Sequence, residues 1–241
     1  MDIERIRRWF AAASRSALTD EDAIAAWHIL SARCRFVKTL PRRSVVLDVG
    51  AGDGALAVYR SWPPPARADI ALYAFAMDRG SMFDRYDGYE LGAWPSQKPG
   101  FAGRQFDAVF AANFIEHIEA PLDFIAWSVS RLSERGRIFL EWPTRESLDL
   151  PSATLLRPMG IDVMAGTYLD DATHRPDMPT TSAVHGALNS AGLRIEESGV
   201  VRVPFFEDHM MAIGKANNDI VSRTLAYWSF TGWCQYVIAG R

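Results

Sequence analysis

The chain has 241 residues, 49% apolar and 23% charged, which supports a packed core and excludes wholesale disorder. A net charge of -3 gives no general attraction to nucleic acid or to an anionic membrane. The two cysteines, Cys34 and Cys234, lie far apart in apolar contexts, so a disulfide framework is not expected and a reducing cytoplasm fits. No stretch has the roughly 18 apolar residues of a membrane span, and the charged N-terminus does not read as a secretory signal.

In chain order, residues 2–13 and 20–38 are predicted helices, the second capped by Thr19 or Asp20. Pro41 ends this preamble. A short buried strand follows at Val45–Val49, then a glycine turn and a helix starting at Ala55–Arg60, broken by Pro63-Pro64-Pro65. Ile70–Met77 is the next strand. Residues 79–104 are irregular, with a short strand near Tyr89–Leu91. Phe106–Ala111 is a strand, Ile115–Leu132 mostly helix, and Arg137–Glu141 a strand entered through Arg135-Gly136. Residues 142–179 hold five prolines and little periodicity. Thr181–Ala191 reads as a helix closed by Gly192, Leu193–Val203 as a strand, Asn217–Trp228 as a helix and Trp233–Ala239 as a last strand.

Alternating strands and helices predict an α/β doubly wound, Rossmann-like sheet within one domain, residues 1–241. A helical cap (1–40) and two insertions (142–179 and 204–230) are expected to cover the cofactor and shape the acceptor site. Ligands of such sheets bind at the carboxyl ends of the strands. Asp48 to Gly54, Asp78, Asn113 to His117 and Glu141 to Pro143 all fall at such ends.

Gly50-Ala51-Gly52-Asp53-Gly54-Ala55 satisfies a general dinucleotide fingerprint, so glycine spacing alone does not choose the cofactor. Charge separates the options. Asp48 and Asp53 would repel a pyrophosphate but attract a ligand carrying an ammonium and a sulfonium. S-adenosylmethionine is therefore the leading cofactor, with an NAD-dependent oxidoreductase and a non-catalytic binding module as rivals. Asp78 offers a carboxylate for paired ribose hydroxyls with either cofactor.

Val45–Ala57, Asp78, Phe106–Ile118 and Leu132–Glu141 together resemble the signature segments of class I S-adenosylmethionine-dependent methyltransferases. The resemblance covers roughly residues 40–145, with Glu134-Arg135 where Pro-Gly is common. It implies a seven-stranded, mostly parallel sheet whose last strand is antiparallel. It also implies that Gly50 and Gly52 line the methionine portion, that Asp78 holds the ribose, and that Asn113 and Phe114 lie by the cofactor. The adenine contact is hard to align; Trp94 and Gln97 are the candidates.

For chemistry, histidine has the pKa range of a general base. His117 follows the fourth strand. His174 sits in Asp170-Asp171-Ala172-Thr173-His174, which resembles the Thr-His or Asp-His of several small-molecule and sugar methyltransferases. Asp170, Asp171 and His174 can alternatively be read as cation ligands or as an ordered loop; no metal is expected. His28 and His185 read as helix residues, and His209 as a possible pocket residue. The expected activity is O-methylation of a small metabolite or of a sugar or natural-product intermediate, with no nucleic-acid or membrane partner.

Overall fold

The computed structural model describes all of residues 1–241. The chain forms two compact units. Unit 2 comprises Phe36–Trp142, Arg175–Gly199 and Tyr236–Arg241. Unit 1 comprises Met1–Arg35, Pro143–His174 and Val200–Gln235.

The sheet strands are β1 (Val45–Val49), β2 (Ala71–Ala76), β3 (Gly88–Leu91), β4 (Phe106–Ala112), β5 (Leu132–Pro143), β6 (Arg194–Val200) and β7 (Cys234–Gly240). Their spatial order is β3-β2-β1-β4-β5-β7-β6. The pairs β1–β2, β1–β4, β2–β3 and β4–β5 are parallel. The last strand is antiparallel, as the family resemblance implies. Strand order reverses between β1 and β4, which defines the switch point where ligands of such sheets bind.

Both faces of the central strands are buried, as a parallel sheet requires. On one face Leu47, Val49, Val109, Ile138, Leu140 and Trp142 pack with Phe124 and Ile125 of helix α4 (Pro121–Ser130) and with Val184 and Leu188 of helix α6 (Thr181–Ser190). On the other, Phe110 stacks on Phe139 at 4.7 Å, with Phe36 5.5 Å from Phe139. Val45 of β1 is tied to β4 by a side chain, since its N–H donates to the Asp107 carboxylate at 2.9 Å.

Unit 1 has its own core, which includes Ile6, Trp27, Leu156, Ile161, Met210, Met211, Tyr227 and Trp233. Its helices are α1 (Ile3–Ala12), α2 (Asp20–Leu30), the single turn α5 (Ala153–Leu156), α7 (Glu207–Ala216) and α8 (Ile220–Thr231). Thr19 caps α2, accepting the Asp22 N–H at 3.1 Å. Glu207 of α7 accepts the Ser229 hydroxyl of α8 at 2.7 Å. No helix is long and apolar enough to cross a membrane.

Four local expectations are corrected. The predicted helix 20–38 is two helices, α2 and α3 (Ala32–Thr39), because Ser31 is extended at ψ 141° and its hydroxyl donates to the His28 carbonyl. The helix after the glycine turn is a six-residue 3-10 helix, Ala55–Arg60, rather than an α-helix. The helix expected from Ile115 starts only at Pro121, because Asn113 adopts φ 51° and the chain runs irregularly to Ala120. The insertion 204–230, for which one helix (Asn217–Trp228) was predicted, contains a second, α7. Gly214 inside it is a contact residue: a Cβ there would lie 2.6 Å from Arg223 Cγ of α8.

Candidate active site

The site is built where β1, β2 and β4 end. β1 delivers Asp48, which is 3% exposed, and then the glycine loop. The loop is pinned to β2, since the N–H groups of Gly50 and Ala51 both donate to the Phe75 carbonyl, at 2.8 and 3.2 Å. Gly50 (φ 71°) and Gly52 (φ 53°) both occupy the left-handed region that favours glycine. They differ in what they face. A Cβ at Gly50 would lie 2.5 Å from Phe114 Cδ2, so the ring of Phe114 fills that space. A Cβ at Gly52 would meet nothing within 4 Å, so the loop has an open face there.

Asp53 is exposed beside Gly52, and Asp78 is exposed two residues beyond β2. Gly54 is buried, and the segment after β2 braces the loop: the Met82 N–H donates to the Asp53 carbonyl at 2.9 Å. From β4, Asn113 donates its N–H to the Glu141 carbonyl of β5 at 2.9 Å. This turn sends Phe114 back over Gly50, where Phe124 meets its ring edge-on at 5.0 Å. Trp94 is buried after β3 between Phe124 (5.3 Å) and Trp127 (5.2 Å), with the Lys98 ammonium 4.9 Å from its ring centre. Its Nε1–H is buried with no hydrogen-bond partner. Gln97 instead packs against Gly92 and accepts the Ala93 N–H at 3.3 Å.

These features favour a cationic ligand over a pyrophosphate. Pyrophosphate sites use the N-terminus of a full α-helix, where aligned peptide dipoles and spare N–H groups hold the anion. Here a short 3-10 helix follows the loop, and the loop carries an acid. The open face at Gly52, the acid at the end of β1 and the acid beyond β2 therefore fit the charged methionine end and the ribose of S-adenosylmethionine.

His117 lies in unit 2, partly buried, with its N–H donating to the Phe114 carbonyl at 3.1 Å. His174 lies in unit 1, with its side chain 6% exposed and its ring stacked on Tyr168 at 4.3 Å. His174 Nδ1 is 2.6 Å from the Tyr168 carbonyl. A carbonyl only accepts, so Nδ1 carries a hydrogen and the ring is held in one orientation. The neighbouring acids have other work. Asp170 accepts the N–H groups of Ala153, Gly166 and Thr167 at 2.7–3.0 Å and completes a capping box with Thr167. Asp171 Oδ1 accepts the Thr173 N–H and hydroxyl, at 2.8 and 2.6 Å.

His209 is fully buried and clasped. Nδ1 accepts the Ser16 N–H at 3.0 Å and lies 2.8 Å from the Ser16 hydroxyl, while Nε2 reaches Asp20 at 3.1 Å. The arrangement ties the loop before α2 to α7. Tyr86, which the sequence reading passed over, donates its phenol to Asp48 at 2.6 Å. It sits in the irregular 79–104 stretch, where no periodicity marks it.

The fold is that of the class I S-adenosylmethionine-dependent methyltransferases. A family model described as a methyltransferase domain matches residues 23–198, and the chain belongs to that family. Its cofactor is accordingly S-adenosylmethionine. A ubiquinone biosynthesis O-methyltransferase from Xanthomonas axonopodis pv. citri (strain 306) is 26% identical over 171 residues, 68% of this chain and 69% of that protein. Coclaurine N-methyltransferase bound to N-methylheliamine and SAH has a similar structure (TM-score 0.58, 13% identity, 95% of this chain and 75% of that one). So does a mycolic acid cyclopropane synthase complexed with SAH (TM-score 0.56, 13% identity, 99% and 94%). A SAM-dependent methyltransferase from Archaeoglobus fulgidus is also similar (TM-score 0.54, 13% identity, 92% and 95%).

Proposed function

We propose that this chain O-methylates a small metabolite, a sugar or natural-product intermediate being the preferred class. The O-methyltransferase name of the Xanthomonas relative is consistent with that reading. The observation that supports it is the hydrogen bond from His174 Nδ1 to the Tyr168 carbonyl at 2.6 Å, which orients the imidazole as a candidate base. S-adenosylmethionine supplies a methyl carbon already activated by its sulfonium. Asp48, Gly50, Ala51, Gly52, Asp53 and Gly54 would hold its amino-acid end, Asp78 its ribose, Asn113 and Phe114 its flank, and Trp94 its adenine side. His174 would be the residue to accept the proton of the acceptor hydroxyl. His117 is the second candidate base. We place this chemistry in the cytoplasm.

The test is methyl transfer from labelled S-adenosylmethionine to a panel of phenols, sugars and amines. His174→Ala is expected to lower turnover by about 100-fold or more, the usual scale of a lost general base, with S-adenosylhomocysteine affinity within twofold of wild type. Full activity in that variant rejects His174 as the base. Tight NAD binding without S-adenosylhomocysteine binding rejects the cofactor assignment.

A further inference from the structure

We propose that Tyr86 is a positioning residue for the cofactor's amino-acid end, acting through Asp48. The inference rests on the cofactor site proposed above. Asp48 leaves β1 with almost no exposure, so its carboxyl oxygens depend on protein donors for hydrogen bonds and orientation. The Tyr86 hydroxyl donates to Asp48 Oδ2 at 2.6 Å. A phenol suits this task. It satisfies a carboxylate lone pair without adding positive charge, so the donor itself cancels none of the attraction that Asp48 holds for an ammonium. Burial first, and the adjacent Asp48 second, push the Tyr86 pKa far above its ordinary value, so the phenol keeps its proton at any working pH.

The ring of Tyr86 has a second contact. A Cβ at Gly54 would lie 3.0 Å from Tyr86 Cε2, so the ring packs directly beneath the last glycine of the loop. Phe83, 5.5 Å away, also backs Gly54, and the Tyr86 N–H donates to the Phe83 carbonyl at 3.0 Å. One side chain therefore touches the acid at the start of the loop and the glycine at its end. Removing the hydroxyl separates the two roles, because Tyr86→Phe keeps the ring under Gly54 and takes only the phenol donor away from Asp48.

The experiment is calorimetric titration of the full chain with two ligands. S-adenosylhomocysteine carries the ammonium; 5′-methylthioadenosine lacks the amino-acid group but keeps the thioether and adenosine. Tyr86→Phe is expected to weaken S-adenosylhomocysteine about 10–150-fold, the scale of one hydrogen bond to a charged group, and 5′-methylthioadenosine less than twofold. Asp48→Asn should show the same selectivity, and the double variant should bind no worse than Asp48→Asn alone. Circular dichroism and melting of each variant check that the fold is kept. An unchanged S-adenosylhomocysteine affinity in Tyr86→Phe, an equal loss for both ligands, or losses that multiply in the double variant overturn the proposal. A wild-type chain that binds neither ligand overturns the cofactor site itself, a result distinct from these.

Discussion

At the scale of single residues, two glycines of one motif do different jobs. Gly50 is required by its backbone and by the Phe114 ring in its side-chain space; Gly52 is required by its backbone and faces open space. Gly50→Ala should cost about 2–3 kcal/mol, from about 1–2 for the left-handed backbone plus displacement of the ring. Gly52→Ala should cost about 1 kcal/mol, yet weaken S-adenosylhomocysteine because its methyl enters the face that the ligand would use. For a chain of this size that predicts melting drops of about 5–10 °C and 2–4 °C. Equal drops with unchanged affinity in both variants would reject the distinction. The spacing of the glycines was legible in the sequence, and the acids beside them pointed to a cationic ligand. The partner of Gly50 was not legible, because it comes from a residue 64 positions later whose direction depends on the left-handed turn at Asn113.

At the scale of elements, the long proline-containing stretch after β5 gains its order from carboxylates. Asp170 takes three backbone N–H groups, from Ala153, Gly166 and Thr167, and so knots α5 to the segment that carries Tyr168 and His174. Asp170→Ala should cost about 2–4 kcal/mol, since three buried or half-buried donors lose one charged acceptor. Denaturant melts would measure it, and a loss below about 0.5 kcal/mol would mean that water replaces the carboxylate without penalty. The central strands β1, β2 and β4 were legible because their apolar runs are nearly continuous, as strands buried on both faces must be. Helix limits were less so. Ser31, Asn113 and Gly214 each act against the local pattern: an extended serine inside an apolar periodicity, a left-handed asparagine ahead of apolar Phe114, Ile115 and Ile118, and a glycine that Arg223 makes useful. Those choices are decided by tertiary contacts, which one sequence does not display.

At the scale of the whole molecule, stability should depend on pH through a few groups whose protonation the fold shifts in opposite directions. Burial, aided by the Arg33 charge, lowers the His28 pKa to about 4. A depressed folded-state pKa means that His28 supports the fold fully above its ordinary value near 6.5 and progressively less as pH falls toward 4. Burial raises the Glu207 pKa, partly countered by Ser229 and Arg202, so that residue stabilises the fold below its ordinary value and less as pH rises. The hydrogen bond from His209 lowers the Asp20 pKa, so Asp20 contributes above its ordinary value and is lost only in stronger acid. Between pH 7 and 5 the His28 loss is expected to lead, at about 1–2 kcal/mol, offset in part by Glu207. Removing the titrating ring should expose the offset. His28→Gln should melt at nearly the same temperature at pH 7 and pH 5, or slightly higher at pH 5, while the wild type falls by several degrees. The same acid-side slope in both chains would show that His28 is not the group responsible.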